Sequence, residues 1–380
     1  MRVAFNATAL LSPLTGIGQY SYQLAQALQA RGDVDLNFFY GTGWSRQLRS
    51  QAAPGILTIK SLITRFVPNP YAVGRFVQQI RFQSGIRAQQ PDVYHEPNFL
   101  AFKCKPPSII TVHDLSWIRY PHTHPVKRVR AMNQFFEKSL SQVALILTDS
   151  AFVKRELIDV FQIAPERIVP VALGVESMFR PRSPAETQAL LQVHGLQHGE
   201  YLIAVGTLEP RKNLQSALHA FMLLPPALRK RYPLLLVGMK GWHTSALEQQ
   251  IAPLLRSGEV RQLGYLSRED LAILLAGAKT LIYPSIYEGF GLPPLEAMAC
   301  GVPVIASNVS SLPEVVGDTG LAIDPGDVDG LANAITELLE DDALRAVLSA
   351  KALARSKQFT WDLCAEKTVA AYRQVLGAKA

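Results

Sequence analysis

The chain has 380 residues, of which 48% are hydrophobic and 18% are charged, and its formal net charge is +7. This length exceeds one comfortable hydrophobic core, so we expect two domains, and the composition excludes an extensively disordered protein. No apolar run approaches the length of a membrane span, and Met1–Asn6 is typical of a first strand rather than a signal peptide, so we expect a cytoplasmic protein.

Basic residues are concentrated in the first half of the chain. Between Lys60 and Arg155 there are fourteen Lys and Arg but only five Asp and Glu. Such a surface attracts the phosphates of lipids, nucleic acids or nucleotides. No recognition helix, RNP-like strand or zinc finger accompanies it, so we do not expect nucleic acid as a partner. Peripheral contact with an anionic membrane and an ordinary solvated basic surface remain equally good interpretations.

The first predicted strand is followed by a glycine-containing turn. Gly16 and Gly18 lie between this strand and a helical pattern through Leu24 and Leu28, which is the outline of a phosphate or ligand loop. As a dinucleotide fingerprint the pattern is weak, because Ser21 stands where a third glycine is expected.

Further strands are predicted in the first half at Asp35–Tyr40, Ile56–Lys60 and Asp92–Glu96, with a helix near Tyr71–Ala88. His95, Glu96 and Asn98 then stand at a sheet edge. They either touch a ligand or satisfy the backbone of the loop, and we favour the second interpretation.

A clean apolar strand, Ser108–Asp114, ends in His-Asp, which places His113 at the carboxyl end of a central strand. A basic helix follows near Pro125–Leu140, and Ser150 has the character of a helix cap. The proline-rich segment Phe179–Pro184 predicts an interdomain linker.

The second half opens with the buried strand Tyr201–Gly206, whose exit loop carries Arg211, Lys212 and Asn213. Two adjacent cations at the carboxyl end of a strand suit a diphosphate, and Asn213 is suited to cap the next helix. Two more strands are predicted at Leu234–Gly238 and Val260–Leu266.

The most informative stretch runs from Tyr283 to Ile305, where a strand, a glycine loop and a helix start meet. Glu288 lies in the loop and Glu296 lies about one turn into the helix that begins near Pro293. Free N–H groups at a helix start favour anions, so this loop is a candidate phosphate site. Its backbone at the helix entry comprises Gly289, Phe290, Gly291 and Leu292.

This stretch resembles the signature of the retaining glycosyltransferases of family 4, which have the GT-B fold and carry two glutamates separated by seven residues. The resemblance extends over nearly the whole chain. It implies an α/β protein of two Rossmann-like domains facing a central cleft. The N-terminal, acceptor-side domain would be residues 1–178 joined by a C-terminal helix at 361–380, and the nucleotide-sugar domain would be residues 185–360.

The resemblance also implies roles for individual residues on the sugar side and the nucleotide side. Glu288 would lie close to the transferred sugar, Glu296 would hold the nucleotide ribose, and His113 would contact the sugar through its ring or backbone carbonyl. Gly16 and Gly18 would let their loop close over the donor.

Two further parts of the donor site follow from the same resemblance. Lys212 matches a family lysine. Many relatives have an arginine directly after the glycine that corresponds to Gly206, where this chain has Thr207. Arg211 would then take over the role of that arginine. The base would be framed by Leu263, Gly264 and Tyr265.

The implied reaction is transfer of a hexose from a sugar nucleotide to an acceptor hydroxyl with retention of anomeric configuration. The Glu-Pro-Arg-Lys-Asn and Gly-Ile-Gly-Gln-Tyr pieces look most like bacterial surface-polysaccharide mannosyl or rhamnosyl transferases, so we expect GDP-mannose or a related GDP-hexose. UDP-sugars stay open, and the expected acceptor is a lipid-linked oligosaccharide. A sugar-nucleotide epimerase of the same fold and a non-catalytic nucleotide or carbohydrate binding module are the alternatives.

We expect no metal and no cofactor other than the sugar nucleotide. Two Asp-x-Asp triplets begin at Asp33 and Asp327, but the second opens a predicted helix, where Asp is a usual cap. The cysteines Cys104, Cys300 and Cys364 form no Cys-x-x-Cys pair, which argues against zinc.

Overall fold

The computed structural model describes residues 1–50, 70–242 and 244–377. The strand predicted at Ile56–Lys60 lies outside the described residues. The chain forms two compact units. The first comprises Met1–Asp114, Arg130–Gly174 and Trp361–Ala380, and the second comprises Leu115–Val129 and Val175–Thr360.

The first unit is built on a seven-stranded sheet with the order β3-β2-β1-β4-β5-β6-β7. Among the described residues, the strands of this sheet pair in parallel except for β2 with β3. The strands are β1 Arg2–Asn6, β2 Asp35–Phe39, β3 Trp44–Ser45, β4 Val93–Glu96, β5 Ser108–Val112, β6 Leu145–Thr148 and β7 Ile168–Pro170.

Helices cover this sheet, and its apolar strands are buried because parallel sheets are packed on both faces. The helices in this part of the chain are α1 Gly16–Arg31, α2 Pro70–Gln89, α3 Ser116–Arg119, α4 Val126–Gln142 and α5 Ala151–Phe161. The short helix α3 belongs to the second unit. An aromatic cluster fills the core on one side, where the Phe82 ring lies 5.3 Å from that of Phe39 and 4.6 Å from that of Tyr94.

The second unit contains a six-stranded, fully parallel sheet with the order β10-β9-β8-β11-β12-β13. Its strands are β8 Leu202–Val205, β9 Leu234–Val237, β10 Val260–Gly264, β11 Thr280–Tyr283, β12 Val304–Ser307 and β13 Leu321–Ile323. The chain winds from β8 toward one edge and then returns to β11 on the other side. The topological switch point, where such sheets bind ligands, therefore lies between β8 and β11.

Ten helices among the described residues follow the linker. They are α6 Pro184–Val193, α7 Leu214–Leu223, α8 Pro226–Arg231, α9 Ser245–Ser257, α10 Arg268–Ala276, α11 Leu292–Ala299, α12 Leu312–Val316, α13 Val328–Glu340, α14 Asp342–Ser356 and α15 Trp361–Gly377. The last of these, α15, packs on α1 in the first unit. Its Tyr372 hydroxyl lies 2.7 Å from His95 Nδ1.

The two units differ from the predicted domains in two segments, Leu115–Val129 and Val175–Met178, which both belong to the second unit. Both were expected within residues 1–178. Two contacts attach Leu115–Val129 to the second unit: the Leu115 N–H donates to the Tyr287 hydroxyl at 2.8 Å, and the Trp242 indole N–H donates to the Thr123 carbonyl at 2.5 Å. Periodicity alone does not reveal such an excursion, because it depends on tertiary partners.

Within the part of the chain that the structure describes, no helix combines the length and the apolar character needed to cross a bilayer.

Candidate active site

A buried cluster of charged side chains lies at the switch point of the second unit. The loop after β8 supplies Glu209, Arg211 and Lys212, and the loop after β11 supplies Glu288. Because β8 and β11 are neighbours in a parallel sheet, their carboxyl ends lie at the same edge. Sheet topology thus brings together the two loops that the sequence singled out separately.

Glu288 is the centre of this cluster. Its Oε1 accepts hydrogen bonds from Lys212 Nζ at 2.6 Å and from the Tyr283 hydroxyl at 2.9 Å. Its Oε2 accepts one from Arg211 Nη1 at 2.9 Å. Burial opposes the charge of this carboxylate, but Lys212 and Arg211 outweigh it and lower the pKa of Glu288 to about 2. Glu288 is therefore an anion at neutral pH, suited to accept hydrogen bonds from sugar hydroxyls rather than to donate a proton.

The two cations are placed differently. Arg211 directs Nη1 at the Tyr287 carbonyl as well as at Glu288, and Nη2 at Glu209 Oε1, so its guanidinium joins three protein acceptors. Lys212 Nζ donates to Glu288 and, at 2.8 Å, to the Tyr283 hydroxyl. An ammonium group has three N–H donors, so Lys212 keeps one beyond these two bonds. The geometry favours Lys212 as the group that meets a phosphate and Arg211 as the group that fixes Glu288.

The loop that carries Glu288 is fixed by two serines. The Glu288 N–H donates to Ser310 Oγ at 2.9 Å, and Ser311 Oγ donates to the carbonyls of Glu288 and Phe290, each at 2.9 Å. Ser310 has a φ of 59°, a backbone conformation that is uncommon for a residue with a side chain. The loop backbone is thus preorganised by its neighbours.

Helix α11 begins at Leu292, directly after this loop. Gly291 precedes it with a φ of 120°, which glycine tolerates and other residues rarely adopt. Pro293 and Pro294 lack N–H groups, so Leu292 supplies the only backbone donor among the first three residues of the helix. Backbone donors for an anion at this point are therefore few and closely defined.

Glu296 lies on the buried side of α11 in a second ionic group. Its Oε1 accepts a hydrogen bond from Arg268 Nη2 at 2.7 Å. Arg268 also binds Glu176, with Nε 2.9 Å from Oε1, and lies over the Phe179 ring at 4.5 Å. Two carboxylates share one guanidinium, so the group has one excess negative charge. Such a site suits hydroxyl donors such as those of a ribose, rather than a phosphate.

The three residues predicted to frame the base lie at the end of β10, where Gly264 has a φ of 71°. Gly206 and Gly238 directly follow β8 and β9, and a Cβ on Gly238 would come within 2.0 Å of the Gly206 carbonyl oxygen. The Gly264 carbonyl accepts the Gly238 N–H at 2.8 Å. These glycines allow close backbone packing at the sheet edge, beyond which the Tyr265 side chain is exposed.

In the first unit, His113 follows β5 and is buried. Its Nδ1 lies 2.8 Å from Asp149 Oδ2, and its Nε2 lies 2.8 Å from the Pro97 carbonyl. Burial disfavours the imidazolium, but Asp149 and the Pro97 carbonyl outweigh it and raise the pKa of His113. Both ring nitrogens of His113 therefore already face protein acceptors.

Gly16 and Gly18 do not form a loop, in contrast to the predicted glycine turn. Helix α1 begins at Gly16, so both residues belong to its first turn, and the Gln19 N–H donates to the Thr15 carbonyl at 2.8 Å. Neither glycine has a positive φ. A Cβ on Gly18 would lie 3.2 Å from Leu14 Cδ2, so glycine is used here for close packing of the chain that enters the helix.

The predicted caps have different outcomes. Ser150 caps α5, with its Oγ accepting the Val153 N–H at 3.3 Å, and Asp327 caps α13 through the Gly330 N–H at 2.8 Å. Asn213 occupies the cap position of α7 with a φ of 53°, but its side chain makes no capping bond. Instead its amide donates to the carbonyls of Pro284 and Pro325, which ties the β8 loop to two other loops.

Glu96 satisfies a loop N–H, as the favoured interpretation expected, whereas the ring nitrogens of His95 lie against the hydroxyls of Tyr372 and Thr111 instead. Glu96 accepts hydrogen bonds from Asn6 Nδ2 at 2.6 Å and from the Asn98 N–H at 3.2 Å. Burial raises the pKa of Glu96 to about 7. No group of three or more His, Cys, Asp or Glu suited to a metal ion occurs among the residues that the structure describes.

Comparison with known proteins identifies the family. A model described as "Glycosyltransferase Family 4" matches residues 14–177, and one described as "Glycosyl transferases group 1" matches residues 187–355. The O-antigen chain mannosyltransferase B of Escherichia coli is 40% identical over 379 residues, covering 98% of this chain and all of that protein. The chain belongs to glycosyltransferase family 4. It is a glycosyltransferase with the GT-B fold.

Two solved structures illustrate the shared fold. Sucrose-phosphate synthase from Thermosynechococcus elongatus superposes with a TM-score of 0.77 at 23% identity, over 99% of both chains. HepE from Anabaena, solved with UDP and glucose, gives a TM-score of 0.72 at 20% identity, over 98% of this chain and 100% of that one.

Several residues that organise the candidate site were not found from the sequence. Asp149 ends the strand beside that of His113, so a signal for their pairing was available in the strand order. Arg268 opens α10 like an ordinary charged helix residue, and no local pattern marks it as a partner of Glu296. The other contributors missed were Glu176, Glu209, Tyr283, Ser310 and Ser311.

Proposed function

We propose that this glycosyltransferase transfers a mannosyl residue from GDP-mannose, with retention, to a lipid-linked glycan in the synthesis of an O-antigen type polysaccharide. The observation that carries the proposal is the Glu288 cluster. It places a buried carboxylate anion and a lysine with a remaining N–H donor at the switch point of the second unit, beside the start of α11. The 40% identical mannosyltransferase supports the choice of sugar.

In the proposed reaction the acceptor oxygen forms a bond to the anomeric carbon while the bond from that carbon to the diphosphate oxygen breaks. The bonding electron pair goes to the diphosphate oxygen, which then takes the proton of the acceptor hydroxyl. Attack and departure occur on the same face, so configuration is retained. Lys212 and the Leu292 N–H stabilise the charge that develops on the diphosphate, without a metal. Glu288 accepts hydroxyl hydrogen bonds and positions the sugar.

The other residues take supporting roles in this proposal. Glu296 holds the ribose hydroxyls, with Arg268 fixing its orientation. The backbone at Leu263, Gly264 and Tyr265 frames the guanine. For the first unit, the proposal keeps the backbone carbonyl of His113 as a contact to the sugar.

The proposed lipid-linked acceptor and anionic membrane are supported by a surface of the first unit. Helices α2 and α4 enclose an open cavity of about 350 Å³ lined by Arg75, Lys103 and Lys138 together with Phe76 and Phe135. Among the described lining residues none is acidic. Nearby on α2, Phe76, Val77 and Ile80 are exposed. Cations beside exposed apolar side chains suit an anionic bilayer and the phosphate of a lipid carrier.

The activity is tested by incubating the protein with GDP-mannose and a synthetic lipid-linked mannosyl acceptor. We expect GDP release and a product one mannose heavier, with an α-anomeric signal by NMR. A β-linked product would refute retention, whereas interconverted sugar nucleotide without transfer would indicate an epimerase. Tight GDP binding without turnover would indicate a binding module. UDP-glucose and UDP-galactose serve as the donor controls.

The ribose assignment is tested with GDP and 2′,3′-dideoxy-GDP. The wild-type protein should prefer GDP, and Glu296→Ala should bind both nucleotides equally because the hydroxyl acceptor is gone. An unchanged preference in the variant would place the ribose elsewhere.

The membrane contact is tested by sedimentation with vesicles of phosphatidylcholine, with or without phosphatidylglycerol. The wild-type protein should sediment only with the anionic vesicles, and Phe76→Ser with Lys138→Gln should reduce that fraction. The matched control combines Val193→Ser, an exposed apolar residue of the second unit, with Lys351→Gln. Equal loss in both double variants would refute the assignment.

A further inference from the structure

A second group of cations lines an open cavity of about 380 Å³ in the second unit. Its wall includes the linker residue Arg182, Lys279 from the turn before β11, and Arg345 from the first turns of α14. The segment after α11, from Cys300 to Pro303, closes another side. None of the residues of the Glu288 or Glu296 groups lines this cavity, so it is separate from the proposed donor site.

The cations of this cavity are only partly neutralised. Lys279 and Arg345 are largely buried, with 13% and 20% of their side chains exposed. Among the described lining residues, Asp342 has the only carboxylate, and 82% of its side chain is exposed to solvent. Its Oδ1 lies 3.7 Å from Lys279 Nζ and also pairs with Arg345. One well-hydrated carboxylate therefore pairs with two partly buried cations, and Arg182 lines the same cavity.

Two further observations show that this arrangement is costly when nothing occupies the cavity. Burial, followed by the positive charge of Arg345, lowers the pKa of Lys279. The Nε atom of Arg182 is buried and has no hydrogen-bond partner among the described residues, although Nη2 donates to the Met178 carbonyl at 3.2 Å. Buried donors without acceptors are unfavourable, and an anion in the cavity would relieve both costs.

The lining also limits the kind of anion. No Phe, Tyr or Trp occurs among the described lining residues, so there is no stacking surface for a nucleobase. The cavity is larger than a single phosphate ion, and the remainder of its wall is formed by small residues such as Gly199, Gly301 and Ser349.

We propose that this cavity binds a small phosphorylated molecule of the hexose phosphate type, with Lys279, Arg345 and Arg182 as the phosphate ligands. The ligand would contact the linker, α14 and the segment that follows α11. The site is independent of the sugar nucleotide that the enzyme uses.

The test is isothermal titration of the full-length protein with glucose 6-phosphate and, separately, with inorganic phosphate. Saturating GDP is present throughout to occupy the proposed donor site. We expect one equivalent of glucose 6-phosphate to bind, and Lys279→Met to weaken it by about tenfold or more, as loss of one charge-assisted hydrogen bond predicts. Arg345→Gln is the second variant, and unchanged GDP affinity shows that each variant is folded.

The matched control is Arg231→Gln, which also removes one positive charge near Lys279. Arg231 is exposed, pairs with Glu200 and does not line the cavity. The proposal is overturned if glucose 6-phosphate fails to bind the wild-type protein, if both cavity variants bind it as the wild-type does, or if Arg231→Gln weakens it equally. If inorganic phosphate binds and glucose 6-phosphate does not, the assignment to a phosphate ester is overturned.

Discussion

Replacing Lys212 by methionine tests whether the Glu288 cluster serves both stability and donor binding. Methionine keeps an unbranched apolar chain and removes the ammonium group that lies 2.6 Å from Glu288 Oε1. Removing one member of a buried ion pair costs about 3–5 kcal/mol, because the other charge stays buried. Arg211 and Tyr283 continue to bond Glu288, so we expect the lower end of this range, about 3 kcal/mol of unfolding free energy.

The same substitution should weaken the binding of GDP. Loss of one charge-assisted hydrogen bond to the diphosphate corresponds to about a ten- to hundredfold increase in Kd. The turnover should fall by about a hundredfold or more, because a donor to the charge that develops on the leaving group is removed. Urea denaturation, titration with GDP and a single-turnover transfer assay measure the three effects.

Lys240→Met is a close control for Lys212→Met. Lys240 Nζ also lies 2.6 Å from a glutamate oxygen, that of Glu248, but 65% and 44% of these two side chains are exposed. Solvent screens such an exposed ion pair, so its loss should have little effect on the free energy of unfolding or on the affinity for GDP. If Lys212→Met and Lys240→Met change the unfolding free energy, the GDP affinity and the turnover to the same extent, the buried Glu288 cluster does not serve both stability and donor binding.

Three further predictions follow from buried charged groups. Glu288→Gln removes the anion beside Lys212, so GDP affinity should be unchanged or higher while turnover falls by about a hundredfold; weaker GDP binding in titrations would contradict this. Arg268→Met leaves Glu176 and Glu296 without their shared cation, so it should reduce the preference for GDP over 2′,3′-dideoxy-GDP in the same titration, and an unchanged preference would count against a positioning role. Burial raises the pKa of Glu96 from 4.5 to about 7, so the stability that its protonated form contributes is complete below pH 4.5 and is lost as pH rises through 7. The loss amounts to about 3 kcal/mol, and the unfolding free energy of Glu96→Gln should lack this part of the pH dependence; equal pH profiles from urea denaturation would contradict the assignment.

Many strands of both sheets could be predicted because parallel strands buried on two faces appear as short, continuous apolar runs, whereas the two-residue antiparallel strand β3 has no such run and was not predicted. Leu234–Val237 is an apolar run of this kind, and its four residues are all buried. The ends were placed one or two residues too late in several cases, since glycines such as Gly206 and Gly238 continue the apolar pattern beyond the last paired residue.

The site could be predicted where a local motif carries the side chain, as for Glu288, Lys212 and Glu296. It could not be predicted where the partner is distant in the chain. Arg268 reaches Glu296 and Glu176 across 28 and 92 residues, and no spacing rule records such a meeting. The start of α1 at Gly16 was missed for a different reason: glycine is a poor helix former, so its propensity pointed to a turn.

The excursion of Leu115–Val129 into the second unit affects how the protein can be divided. A gene fragment that encodes residues 175–360 alone would omit a piece of its own folding unit, including the backbone group that binds the Tyr287 hydroxyl. Chimeras between related enzymes face the same restriction. A recipient that exchanges its second unit should receive the distant fifteen-residue segment Leu115–Val129 as well, so that both parts come from one parent.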